Sequence, residues 1–199
     1  MNKTKSNYKL SALTIERLAN VVPHPRYGSK IILSDQGTND KPIEVTHFSF
    51  TEVRFPESAI LADKSKHNFS TMSHINWYMD TLLDCLTCRK PFLFFALEQQ
   101  YWYETLRFRV ESVCLNCPNC RKTERELQQR WQRYSNLIVR EQFADEELLQ
   151  LAEDTVFLWQ HGLLRSEQRL REIRNRVHRQ IQRSSIASEL DKLIAAIKD

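Results

Sequence analysis

The chain has 199 residues, 41% of them hydrophobic, and a formal net charge of +4. A chain of this length can bury a core of its own, and it has no run of about 20 apolar residues that could span a membrane. The charged N-terminus is not followed by the apolar stretch of a secretion signal. We therefore expect a soluble, non-secreted protein whose mild positive charge permits contact with nucleic acid without requiring it.

Residues 1–56 form the first predicted region, an N-terminal β-rich segment. A short helix is expected over residues 14–21, and Pro23-His24-Pro25 ends it because proline lacks a backbone donor. Two β-type runs follow, at residues 30–34 and 43–50, separated by a stretch rich in turn residues. This pattern predicts a small β-hairpin.

Residues 57–123 form the second predicted region, a zinc-ribbon domain. Its first part, residues 57–76, is polar and is predicted to be a loop. Two Cys-x-x-Cys pairs follow with twenty-eight residues between them: Cys85, Cys88, Cys117 and Cys120. Four thiolates suit a tetrahedral Zn²⁺, and two residues between cysteines let a tight turn direct both sulfurs at one ion. We predict a structural zinc site, with iron as the alternative metal.

Cys114 creates a second possible register, because Cys114-x-x-Cys117 is also a correctly spaced pair. We expect Cys117 and Cys120 to be the ligands, since the Pro-Asn sequence between them suits a tight turn. Cys114 is then a small buried side chain or a reserve thiol. In the first knuckle, Arg89 stands where a glycine with positive φ is often found, which predicts strain of roughly 1 kcal/mol.

The most aromatic part of the chain, residues 91–103, lies between the two cysteine pairs. It predicts a short strand over residues 92–95 and a helix over residues 98–105. The aromatic side chains are either a stacking platform for bases or a core around the metal site. Single-strand binders interleave aromatic with basic residues, and residues 91–106 contain no Lys or Arg, so the core interpretation is favoured.

Residues 124–199 form the third predicted region, an all-α helical bundle. Apolar residues at three- and four-residue steps predict helices over residues 124–140 and 146–160, and Gly162 is placed to end the second of them. A third helix begins at the N-cap Ser166, and a fourth runs over residues 186–198.

The third of these helices carries the strongest concentration of charge, within residues 165–183. Its candidate nucleic-acid-binding residues are Arg169, Arg171, Arg174, Arg176, Arg179 and Arg183. Guanidinium groups match phosphate oxygens, so this helix could bind a nucleic-acid backbone. The alternative, which we favour, is a solvated face that pairs with acidic residues of the preceding helix.

Several motifs between residues 59 and 125 carry a family resemblance. They are Ala59-Ile60-Leu61-Ala62-Asp63-Lys64-Ser65-Lys66, Trp77-Tyr78-Met79-Asp80, Cys85-x-x-Cys88, Phe92-x-Phe94, Glu98-Gln99-Gln100-x-Trp102-Tyr103 and Cys117-x-x-Cys120-Arg121. This third of the chain resembles a family of bacterial probable zinc-ribbon proteins. The resemblance implies zinc bound by the four paired cysteines, and Arg121 supports the register that ends at Cys120. It implies no particular activity, and the chain departs from the family pattern at Arg89 and Cys114.

The sequence predicts an α+β protein with a zinc-ribbon centre and a helical C-terminal region. Confinement of all five cysteines to residues 85–120 is typical of a metal site in a reducing compartment, so we expect the cytoplasm. A zinc held by four thiolates has no open coordination position, and no glycine-rich phosphate loop or Ser-His-Asp spacing is present. We therefore expect a non-enzymatic adaptor that binds a protein partner and no small-molecule substrate, with nucleic-acid binding as the alternative function.

Overall fold

The computed structural model describes residues 10–36, 53–68, 75–181 and 184–197. The chain divides into two compact units, Met1–Arg121 and Lys122–Asp199. The finer division into regions 1–56, 57–123 and 124–199 stays a prediction. The described residues form an α+β structure, as the sequence predicts, with strands in the first unit and helices in both.

The described residues of the first unit are built around a three-stranded antiparallel sheet of order β1-β2-β3. Its elements are α1 (Ala12–Ala19), β1 (Val53–Leu61), a 3₁₀ turn (Lys64–Lys66), β2 (Trp77–Asp84), β3 (Pro91–Phe94), α2 (Ala96–Gln100) and a π-helical turn (Tyr101–Thr105). Successive side chains of β3 point to opposite faces, so Leu93 joins a core with Leu82 and Phe55, while its neighbours pack near the cysteines. The sheet thus places one face of β3 against the metal site.

The N-terminal helix is confirmed, but the first strand of the predicted hairpin is absent. Residues 31–34 have no regular structure, because the backbone N–H of Ile32 bonds to the buried carboxylate of Asp80 at 2.9 Å instead of to a neighbouring strand. Its predicted partner, residues 43–50, lies outside the described residues.

The prediction of a loop over residues 57–76 is wrong at its start, because β1 continues to Leu61. The strand is difficult to predict from the sequence because of Pro56. Proline has no backbone N–H to donate to a neighbouring strand and usually indicates the end of a strand. The register of β1 against β2 shifts between Phe55 and Ile60, so the irregular pairing accommodates the proline.

The C-terminal helices predicted from the apolar periodicity are all confirmed. They are α3 (Pro118–Ile138), which begins in the first unit, α4 (Asp145–Gln160), α5 (Glu167–Gln180) and α6 (Ser185–Ala196). Leu148, Leu151, Leu170 and Leu190 form the fully buried centre of the second unit. None of the helices in the described part of the chain has the length and apolarity needed to cross a membrane.

The signals that end and begin the C-terminal helices also act as predicted. Gly162 follows α4 with φ of +71°, a conformation that glycine adopts without steric cost. The hydroxyl of Ser166 accepts a hydrogen bond from the backbone N–H of Arg169 at 3.4 Å and caps α5.

Candidate metal centre

Four cysteines of the first unit meet in one cluster. The sulfur atoms of Cys85, Cys88, Cys117 and Cys120 all lie within 4.8 Å of one another. The sulfurs of Cys88 and Cys117 are 3.8 Å apart. A zinc–sulfur bond of about 2.3 Å gives an edge of about 3.8 Å in a sulfur tetrahedron. The donor set and its spacing therefore fit a structural Zn²⁺.

The first knuckle follows directly from the end of β2. The backbone N–H of Cys85 donates to the carbonyl of Lys90 at 3.0 Å, and the N–H of Arg89 donates to the carbonyl of Cys85 at 2.9 Å. This closed turn directs the N–H groups of Thr87 and Cys88 at the sulfur of Cys85. Arg89 has φ of +61°, so the strain predicted at the missing glycine is present.

The second knuckle is the start of helix α3. Pro118 is the first helical residue, where its missing N–H costs nothing. The backbone N–H of Cys120 bonds to the sulfur of Cys117, so this sulfur takes the place of an N-cap oxygen, although burial raises the pKa of the thiol. The positive end of the helix dipole favours negative charge on that sulfur.

Two hydrogen bonds hold the knuckles together independently of a metal. The N–H of Leu86 donates to the carbonyl of Leu115 at 3.0 Å. The hydroxyl of Thr87 bonds to the side-chain carbonyl of Asn116 at 3.0 Å. The cluster is therefore preorganised by the chain as well as by its ligands.

The thiols of the cluster differ in acidity. Burial raises the pKa of Cys85, but bonds from the N–H groups of Cys88, Cys117 and Thr87 outweigh burial and lower that pKa to about 6. Burial, followed by the neighbouring thiols, raises the pKa of Cys120 to about 12. Four sulfurs this close cannot all ionise unless a cation neutralises them, so metal binding must release protons.

Cys114 lies outside the four-sulfur group. Its thiol is buried and faces the carbonyl of Asn116 at 3.5 Å. Burial raises the pKa of Cys114 to about 12, which keeps the thiol protonated. The structure therefore brings together the register that ends at Cys120 and leaves Cys114 as a small buried side chain.

A buried ion pair connects the aromatic segment to the second knuckle. The guanidinium of Arg121 donates to the carboxylate of Glu98 at 2.7 Å and lies 5.3 Å from the ring centroid of Trp102. The imidazole of His24 approaches the same carboxylate at 3.5 Å. The motif residues Glu98, Trp102 and Arg121 thus join α2 and the π-helical turn to the start of α3.

The aromatic segment packs mainly as core, as predicted. Phe92 and Phe94 are buried with the cysteines, and the ring of Trp102 lies 4.9 Å from that of Phe94. The amide of Gln99 donates to the carbonyls of Met79 and Phe94, which binds α2 to both strands.

The arginines of α5 lie on a different element from the cysteine cluster. Their carboxylate partners are Glu172 for Arg169, Glu167 for Arg171 and Asp191 for Arg174. The expected pairing of these arginines with acidic residues of α4 is wrong among the described residues, because Arg130 and Arg133 of α3 pair with Asp154, and Arg140, which follows α3, pairs with Glu147. Arg176 lies over the ring of Phe143, Arg179 donates to a backbone carbonyl, and Arg183 is outside the described residues.

The sequence did not reveal two residues that are not ligands but stabilise the cysteine cluster or the ion pair beside it. Asn116 joins the knuckles, and His24 reaches Glu98 from a distant segment. The position of Asn116 directly before Cys117 was the available signal, because asparagine is common in tight turns. No local pattern marks His24.

Residues 79–129 match the model of a family described as a probable treble clef domain. No curated protein and no solved structure matches the chain. The match covers both knuckles, α2 and the first half of α3, and it agrees with the zinc-ribbon-like family expected from the motifs. This segment is therefore similar to a probable treble clef domain, and its four clustered cysteines are consistent with a structural Zn²⁺.

Proposed function

We propose that the zinc-binding domain is a non-catalytic protein-docking module. Four thiolates fill a tetrahedral zinc shell and leave no position for water or substrate, which favours a structural role for the ion. The thiols must stay reduced for this role, so the proposal places the protein in a reducing compartment such as the cytoplasm.

The observation that carries the proposal is a pair of exposed leucines on the knuckles. Leu86 and Leu115 are 53% and 55% exposed, and the hydrogen bond between their backbones makes them neighbours. Leu86 lies in the turn between Cys85 and Cys88, and its backbone bond holds Leu115 two residues before Cys117, so little conformational entropy would be lost on binding. We call these two side chains the knuckle patch.

The surroundings of the knuckle patch indicate the chemistry of its partner. Arg89 and Lys90 follow Leu86 in the same turn and are exposed. An apolar centre with a charged rim is typical of a protein interface. The expected partner is a protein segment with an apolar anchor side chain flanked by Asp or Glu.

A photo-crosslinking residue in place of Leu86 tests this proposal in the full chain. The matched control carries the same residue at Val139, which is 78% exposed but lies outside the zinc-binding domain. We expect one protein to crosslink at position 86 and not at position 139. The purified partner should then lose binding to Leu86→Asp and keep binding to Val139→Asp.

Equal crosslinking at both positions, or undiminished binding of the purified partner to Leu86→Asp, contradicts the proposal. Zinc content separates loss of the patch from loss of the fold, because a folded variant retains its metal. Reversing one charge with Arg89→Glu should weaken the same complex by a smaller factor, since rim charges contribute little affinity.

Nucleic-acid binding by α5 is the alternative function. The ion pairs of Arg169, Arg171 and Arg174 weaken it, because phosphate would have to displace carboxylates already in place. Binding that falls steeply with salt and disappears on reversing the charges of Arg171, Arg174 and Arg176 would establish this alternative.

A further inference from the structure

Two segments of the first unit that are distant in sequence meet beside the metal-binding domain. The backbone N–H of Asp63 donates to the carboxylate of Glu104 at 2.9 Å. The side-chain amide of Asn68 donates to the carbonyl of Arg107 at 3.0 Å, and the guanidinium of Arg107 donates to the carbonyl of Lys66. These bonds hold residues 63–68 against residues 104–109.

The junction concentrates positive charge on the surface. Lys64, Lys66, Arg107 and Arg109 are all exposed. Lys66 pairs with the carboxylates of Asp63 at 3.0 Å and Glu104 at 4.0 Å. Within the part of the chain that the structure describes, Lys64 and Arg109 form no ion pair, so their charges are available to a ligand.

An exposed aromatic side chain lies within this charged surface. Phe108, between Arg107 and Arg109 in the chain, is 43% exposed. Its backbone N–H donates to the carbonyl of Trp102 at 3.0 Å, and the two rings meet edge to face with centroids 5.4 Å apart. The partly buried indole fixes Phe108 while a large part of its ring stays open to solvent.

The backbone at this point adopts a conformation that costs energy. Arg107 has φ of +57°, which disfavours a residue with a side chain by about 1 kcal/mol or more. Such an outlier persists only where surrounding bonds impose it, and here the bonds to Lys66 and Asn68 do so. These bonds maintain the turn on which Phe108 and Arg109 are presented.

We propose that the surface formed by Lys64, Lys66, Arg107, Phe108 and Arg109, here called the basic loop surface, binds single-stranded nucleic acid. Non-sequence-specific single-strand binders combine cations that follow the phosphates with aromatic rings on which bases stack. Lys64 and Arg109 contact backbone phosphates, and an unpaired base stacks on Phe108. This proposal does not depend on the knuckle patch, which uses other residues.

The folded chain supplies the combination that the local sequence lacks. The segment from Pro91 to Leu106 contains no Lys or Arg, which argues against base stacking along the aromatic run itself. Folding brings Lys64 and Lys66 to the end of that run, where two arginines flank Phe108. Base stacking is therefore assigned to Phe108 and not to the buried rings around the cysteines.

The test is fluorescence anisotropy of the full-length zinc protein with three labelled probes: a dT12 strand, an rU12 strand and a duplex of the same length. We expect both single strands to bind more tightly than the duplex. Two cations on the phosphates, Lys64 and Arg109, predict a slope of log K against log salt of about −1.4 for the single strands. A difference in affinity between the rU12 and dT12 strands would show whether the ribose 2′-hydroxyl contributes to binding.

The variants separate charge from stacking. Lys64→Ala and Arg109→Ala should each reduce the salt slope, and neither breaks an ion pair of the described structure. Phe108→Leu keeps apolar bulk but removes the ring, so affinity for the single strands should fall by about fivefold or more. The control, with Arg171, Arg174 and Arg176 changed to Glu on α5, should bind as the unaltered protein does.

The absence of binding of either single strand at about 50 mM salt, at which electrostatic binding is strong, overturns the proposal. Equal binding of duplex and single strands with no effect of Phe108→Leu also overturns it. So does loss of binding in the α5 control alone. Zinc content of each variant reports whether the first unit is still folded. If Phe108→Leu loses zinc, Phe108→Tyr replaces it: this variant keeps a ring and should bind, and failure of zinc-containing Phe108→Tyr to bind overturns the proposal.

Discussion

The guanidinium of Arg121 donates to the buried carboxylate of Glu98 at 2.7 Å, directly after the last cysteine of the cluster. One oxygen of this carboxylate takes the bond, and the second is buried without a hydrogen-bond partner among the described residues. The pair joins the helical turn after β3 to the start of α3. It is therefore expected to hold the second knuckle in position.

Removing the charge of Glu98 should destabilise the first unit. Glu98→Gln leaves the guanidinium of Arg121 partly buried without its counter-charge, at an expected cost of about 1–3 kcal/mol in the free energy of unfolding. Denaturant titration of the zinc protein measures this cost. In the control Asp84→Asn, an exposed pair with Arg17 is lost, and the cost should stay below about 1 kcal/mol.

Asp154 should be essential to the second unit. Its carboxylate is fully buried and accepts bonds from Arg133 at 2.8 and 3.0 Å and from Arg130 at 3.2 Å. Asp154→Asn leaves Arg133 without its counter-charge, while Arg130 keeps its pair with Glu126, so we expect a loss of about 1–3 kcal/mol by thermal unfolding. The neighbouring exposed change Glu153→Gln should cost less than about 0.5 kcal/mol, and equal effects of the two changes would contradict this account.

Replacing Arg89 by glycine should stabilise the first knuckle. Arg89 has φ of +61°, and glycine adopts this conformation without a Cβ clash. The expected gain is about 0.5–1 kcal/mol, because the greater freedom of glycine in the unfolded chain offsets part of the relief. Lys90 does not have a positive φ, so the control Lys90→Gly should lower the free energy of unfolding of the first unit. A loss in both variants would show that Arg89 is not strained.

The sequence alone was sufficient to predict the C-terminal helices and the four cysteine ligands. Regular apolar steps marked α3 to α6, since each buries one stripe of its surface. The paired cysteines were recognisable because a fixed two-residue spacing is demanded by the turn itself. Arg89 was recognisable for the same local reason.

The remaining features depend on partners that are distant in the chain. The predicted strand at residues 30–34 is not formed because Ile32 bonds to Asp80, forty-eight residues away. The arginines of α5 pair within their own helix and with Asp191. The number of charged residues in each helix does not predict which of them form ion pairs. The basic loop surface is likewise formed only when residues 63–68 meet residues 104–109.

Zinc retention should depend on pH in a defined direction. A cysteine binds zinc as the thiolate, so protons compete with the ion and affinity falls as pH falls. The raised pKa of Cys120, about 12 without metal, means that its proton must be displaced at neutral pH. Transfer of zinc to a chromogenic chelator should therefore increase as pH is lowered from about 8 to about 5. Retention that is constant across this range contradicts thiolate ligation.

Elemental analysis of purified cysteine variants tests the central claim most directly. We expect one zinc per chain in the unaltered protein and in Cys114→Ser, and loss of zinc with unfolding of the first unit in Cys120→Ser. The helices of the second unit should persist in that variant, since their core contains none of the ligands. Absence of metal from the unaltered protein, or loss on Cys114→Ser with retention on Cys120→Ser, would contradict the four-cysteine site described here.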